Sequence, residues 1–185
     1  MADTQTTKLT AAEFEEQFAD VPNVELVRGE VIKLSPGGMG HSRPSTNASF
    51  LLETWARSSG LGRVVSNEAG LITAEDPDTV RGADVAYFSF ARVPKGELPE
   101  GFSTVPPNLV VEVLGRGRGW RTLTTKVAEY LEMGVDLVWV VDPGKRTVHI
   151  FKFDAPPAQV SENERIEDGE ILPGFSCMIA EFFED

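Results

Sequence analysis

The segment from Val105 to Pro143, VPPNLVVEVLGRGRGWRTLTTKVAEYLEMGVDLVWVVDP, places a glutamate inside its own most apolar run. Leu109, Val110, Val111, Val113 and Leu114 surround Glu112, with Pro106-Pro107 before them and Gly115 after. Such a continuous apolar run reads as a strand buried on both faces. An ionised carboxylate cannot sit there alone, because an unpaired buried charge costs several kcal/mol. Glu112 therefore has to meet a cation, a metal, or donors from the next element. A loop with three glycines, GRGRGW, follows, then a helix from about Thr122 to Met133 that Gly134 closes. Leu123, Val127, Tyr130 and Leu131 form its buried stripe, and Lys126 borders that stripe. DLVWVVDP is a second double-sided strand. Strands at 107–114 and 136–142 joined through this helix require a parallel crossover.

The other elements alternate between the two periods. LTAAEFEEQF (9–18) predicts a short helix capped by Thr10 and Glu13. VELVRGEVIKLSP predicts a hairpin turning at Arg28-Gly29, with Glu25 and Glu30 beside the turn and solvated. HSRPSTNASFLLETWARSSG predicts a helix with Phe50, Leu51, Leu52 and Trp55 on its apolar face, Ser42, Ser45 or Thr46 as its cap, and Gly60 as its stop. His41 stands near its start, where a solvent-facing or capping role outweighs a substrate-facing one. GRVVSNEAGLIT and VRGADVAYFSF predict a hairpin across the turn AEDPDT. Asp84, Ala86 and Phe88 point to one side of the second strand, Asp84 lying at its mouth. RTVHIFKF pairs antiparallel behind Asp142-Pro143-Gly144. The expected architecture is α/β, a mixed β-sheet flanked by helices. One domain spans 1–185, with an N-terminal helix and hairpin (1–36), a core (41–153) and an acidic C-terminal extension packing on the core (154–185).

Composition narrows the functional classes. No apolar run reaches the roughly 20 residues a membrane span needs, and no secretory pattern opens the chain, so a cytoplasmic protein with no membrane partner is expected. Cys177 is the single cysteine, which leaves no internal disulfide and no thiol pair for zinc. Net charge is −12, against broad adhesion to nucleic acid. The excess is uneven, however. Residues 153–185 hold nine acids and one base, while 115–126 hold Arg116, Arg118, Arg121 and Lys126 with no acid.

If the Asp84 and Glu112 strands are antiparallel neighbours, the two carboxylates face the same side and can converge on a metal. Two carboxylates plus waters suit Mg2+ or Mn2+. Lys126 would set an ammonium beside them, and Arg116, Arg118 and Arg121 would hold an anionic substrate. Together these residues point to phosphoryl chemistry. A structural ion pair between Glu112 and a cation accounts for the same residues and stays open as a reading.

The series RGADVAYFS, NLVVEVLGRG and KVAEYLEMGVDLVWVVDP resembles the Uma-type restriction endonuclease family, a branch of the PD-(D/E)XK nuclease superfamily. The likeness extends to LTAAEFE, VELVRGEVI, the His41 segment and ILPGF. It implies a restriction-endonuclease-like core, Asp84 and Glu112 as metal ligands, Lys126 as the catalytic lysine, and Glu25 and His41 in support. It also implies a DNA substrate, Mg2+ (or Mn2+) as cofactor and action as a homodimer. Three departures stand out. Leu114 occupies the usual lysine position two residues after the acid, Ala83 replaces the proline before the aspartate, and Gly115-Arg116 replaces Ser-Pro after the glutamate strand. The implied function is metal-dependent endonucleolytic hydrolysis of DNA. The alternative is a non-catalytic binding or assembly module on the same fold.

Overall fold

A computed structural model describes residues 8–115 and 119–185. Its elements are α1 (Ala11–Phe18), β1 (Val24–Val27), β2 (Glu30–Lys33), α2 (Met39–Ser59), β3 (Gly62–Ala74), β4 (Thr79–Ser89), β5 (Leu109–Val113), α3 (Trp120–Met133), β6 (Leu137–Asp142), β7 (Thr147–Lys152), β8 (Ala155–Ser161), β9 (Arg165–Asp168) and β10 (Leu172–Met178), ending in a 3-10 helix (Ile179–Phe183). A mixed sheet runs β2-β1-β4-β5-β6-β7-β8, with β3 also on β4, and β9 and β10 form a separate pair.

The crossover is as the sequence requires: β5 and β6 are parallel, with Glu112 opposite Val140, and α3 connects them. All residues of β5 and β6 are buried. Period-two alternation sends their side chains to two layers. Val111, Val113, Trp139 and Val141 face α2, β9, β10 and the C-terminal 3-10 helix, whereas Val110, Val138 and Val140 pack with Leu123, Val127 and Tyr130 of α3. Glu112 falls in the second series and so faces α3. Gly134, at φ +100, ends α3 in the left-handed region and lets the chain turn into β6.

Position along β4 organises the rest. β3 pairs with one edge of β4 along its length. The other edge is shared: Val80 meets Leu26 of β1, and Val85–Tyr87 meet Leu109–Val111 of β5. Residues 81–84 lie in the fork between β1 and β5, paired with neither. Asp84 is therefore mid-strand and buried rather than at the strand mouth. Arg81, three residues before it, is itself buried among carboxylates.

The helix α2 departs from expectation in two ways. It starts at Met39 with Gly38 as an uncapped N-terminus, so Pro44 lies within it. The expected capping hydroxyls bond back into the helix instead, Ser42 Oγ to Gly38 O and Thr46 Oγ1 to Ser42 O. Its buried face is Ala48, Leu52, Trp55 and Ala56, while Phe50 is 69% exposed. In the C-terminal region, Ile166, Leu172, Phe175, Ile179 and Phe182 join the α2-side core, and Ala155–Ser161 is an edge strand. Two prolines suit that edge, where a missing donor faces no partner.

Candidate active site

Gly82 sits in the fork and leaves a backbone N–H and C=O without a strand partner. Side chains supply the missing bonds. The Gly82 N–H donates to Glu25 Oε1 (3.2 Å), and its carbonyl accepts from Lys126 Nζ (2.9 Å), with the Tyr130 hydroxyl 3.3 Å away. Extending the β4–β5 register by one position sets Asp84 opposite Glu112. The ladder opens there, and the Val113 N–H donates to Asp84 Oδ2 (2.7 Å) in place of a backbone carbonyl.

Lys126 is the hub. Besides Gly82 O, its ammonium meets Glu112 Oε1 at 2.8 Å and Glu25 Oε1 at 3.1 Å, so three acceptors match its three donors. It is 4% exposed, within the buried stripe of α3 rather than at its border. Tyr130, one turn later on the same face, donates to Glu112 Oε1 at 2.7 Å. Glu25, expected in solvent beside its turn, is buried. It bonds Arg81 Nη1 (2.8 Å), and Arg81 grips Glu129 with two further bonds of 2.6 and 3.0 Å. His41 Nε2 lies 3.3 Å from Asp84 Oδ2, a partner that a solvent-facing or capping histidine would lack.

Protonation follows from this arrangement. Burial pushes the Glu112 carboxyl up to about 7; Lys126 opposes that rise and Asp84 adds to it. Burial also works against the charged forms of Glu25 and Asp84, but their partners prevail and both lie below the usual carboxylate range. Lys126 and Arg81 act on Glu25; His41, the Val113 N–H and Lys126 act on Asp84. Lys126 stays above its ordinary value despite burial, because Glu112 and Glu25 both stabilise its charge. One ammonium shared between two carboxylates is fully satisfied, whereas Glu112 receives only part of its field. Around the fork, Glu25, Asp84, Glu112 and Glu129 outnumber the fixed cations Arg81 and Lys126.

This donor set fits a hard divalent cation. The contacts of Asp84 fall on Oδ2 and those of Glu112 on Oε1, which leaves one oxygen of each carboxylate for another ligand among the described residues. No group of three or more His, Cys, Asp or Glu among those residues is arranged to hold a metal by itself. Mg2+ tolerates such a sparse set, since it keeps several waters and takes one or two carboxylates plus substrate phosphate.

A family model described as "Uma2: Putative restriction endonuclease" matches residues 11–180. The chain belongs to this family. The crystal structure of a "putative nuclease belonging to DUF820" from Anabaena variabilis ATCC 29413 superposes with a TM-score of 0.82 at 16% identity, covering 95% of this chain and 97% of that one. That likeness shows a shared fold. No curated protein matches the sequence. No helix among the described residues is long and apolar enough to cross a membrane.

For this Uma2 family member, the fold brings together Glu25, Asp84, Glu112 and Lys126, with His41 at Asp84. Arg116 and Arg118 lie outside the described residues, and Arg121 is exposed on the first turn of α3. Tyr130, Arg81 and Glu129 were not singled out by sequence. Tyr130 had a visible signal, four residues after Lys126 on one helical face. Arg81 and Glu129 had none, because their pairing spans 48 residues.

Proposed function

We propose that the protein is a Mg2+-dependent endonuclease that hydrolyses DNA phosphodiester bonds, with Mn2+ able to replace Mg2+. The observation that carries this reading is the convergence of Asp84, Glu112 and Lys126 on the fork in β4, with carboxylates in excess. Asp84 and Glu112 would hold the cation through the oxygens left over from their protein contacts. When bound, the cation supplies positive charge that polarises a phosphoryl oxygen and makes a water nucleophilic near neutral pH. Val113 N–H and His41 orient Asp84, while Lys126 and Tyr130 fix the rotamer of Glu112. Lys126 stays protonated and brings a fixed positive charge to the site as negative charge grows on the phosphate. Arg121, with Arg116 and Arg118 shortly before it in the sequence, would contact flanking phosphates.

The test is incubation of purified protein with single-stranded, duplex and branched DNA in Mg2+ or Mn2+. Cleavage should require the metal and fall by at least about a hundredfold in Asp84→Ala and Glu112→Ala. Cleavage undiminished in those variants, or none by the wild type on any substrate, contradicts the proposal.

A further inference from the structure

A groove of about 740 Å3 runs along the outer face of α2 and ends at Asp84 and His41. Its α2 wall presents Ser45, Ser49, Phe50 and Arg57; Asn67 and Glu68, at the bulge in β3, form the opposite wall near Asp84. Between residues 41 and 57 the helix extends about 24 Å. By contrast, the crevice over Glu112 and Lys126 is about 30 Å3, room for about one water. Among the described residues, the wide approach to the carboxylates is therefore from the Asp84 side.

We propose that this groove seats one unpaired strand of nucleic acid, with a base stacked on Phe50 and its phosphates against the Ser45 and Ser49 hydroxyls. The inference rests on the nuclease reading and adds the form of the substrate. Phe50 is 69% exposed and belongs to none of the aromatic pairs among the described residues, so its face is open for stacking. The Ser45 and Ser49 hydroxyls make no hydrogen bond among those residues, unlike Ser42 and Thr46 beside them. Hydroxyl donors of this kind hold phosphates without adding charge. The charge pattern disfavours a duplex, which needs many phosphates neutralised. Arg57 is ion-paired with Glu53 at 2.6 Å, Glu53 and Glu68 line the groove, and the chain carries −12. A single strand carries about half the charge of a duplex per unit length and exposes bases that stack whatever their identity.

Fluorescence anisotropy in EDTA tests this, using a labelled single strand of about 12 nucleotides and a duplex of the same length. The single strand should bind more tightly than the duplex. Phe50→Ala should raise its Kd at least fivefold with the melting temperature unchanged, and Phe50→Trp should restore binding. Wild-type affinity in Phe50→Ala, or tighter binding of the duplex, overturns the groove assignment while leaving metal-dependent cleavage to stand on its own assay. Weakened binding in Phe50→Ala by a protein that cleaves nothing would keep the groove and remove the hydrolytic reading. Absence of binding to either form overturns the groove assignment.

Discussion

Lys126 Nζ lies 2.8 Å from Glu112 Oε1 and 3.1 Å from Glu25 Oε1, so one buried ammonium joins the strand β5 to the hairpin strand β1. The two strands share an edge of β4 but leave a fork between them, and Lys126 closes it from α3 by also bonding Gly82 O. The same contacts hold the sheet together and orient the carboxylates. Changes at this point should therefore register in stability as well as in activity.

Lys126→Met keeps most of the length of the side chain and removes its charge. Two buried carboxylates then lose their shared partner, and breaking a buried pair in this way costs about 3–5 kcal/mol. Urea denaturation at pH 8 should show a loss of that order. The loss should shrink when Glu112→Leu is added, since the double variant no longer buries that charge unpaired.

Stability of the metal-free protein should fall as pH rises through neutrality. The folded-state pKa of Glu112 is raised from 4.5 to about 7 by burial, so its stabilising contribution is fully present below the unfolded value and is lost as pH passes the folded one. The shift corresponds to about 3 kcal/mol between pH 4.5 and 8. Glu25 and Asp84, with lowered pKa values, act in a different window, losing their contribution only as acid is added below the ordinary carboxylate range. Chemical denaturation across pH 5–8 in EDTA should show the decline in wild type and a flatter profile in Glu112→Gln.

Tyr130→Phe removes one donor to Glu112 and leaves the ring in place. At pH 8, where Glu112 is ionised, a buried hydrogen bond to a charged acceptor is worth about 1.5–3 kcal/mol, and urea unfolding at that pH should report a loss in that range. Glu112 keeps Lys126 as partner, so the fold should survive. Cleavage should drop through lost orientation of Glu112, with kcat falling more than KM rises.

Much of this site was legible in the sequence because Glu112 is so conspicuous among Val110, Val111 and Val113. Its neighbours alone demanded a partner, and the parallel crossover through α3 followed from the two flanking apolar runs. Asp84 and Lys126 were candidates by their positions on the neighbouring strand and the following helix, and the family resemblance added Glu25 and His41. What stayed hidden depends on the fork, a tertiary feature with no local signature. Nothing nearby in sequence reveals that Arg81 is buried, because its partner Glu25 lies 56 residues away. Phe50 was assigned inward because Phe50, Leu51, Leu52 and Trp55 together span more than one helical face. The buried side follows Ala48, Leu52, Trp55 and Ala56 instead, and two alanines give little hydropathic signal.

The central claim is that Asp84 and Glu112 jointly hold one divalent cation beside Lys126. Titration calorimetry with Mn2+ at pH 8 tests it most directly, on wild type, Asp84→Asn and Glu112→Gln, with circular dichroism to verify folding. The account predicts one site per chain in the wild type and affinity reduced at least about tenfold in each folded variant. Equal Mn2+ affinity in all three proteins, or no binding by the wild type, would contradict it.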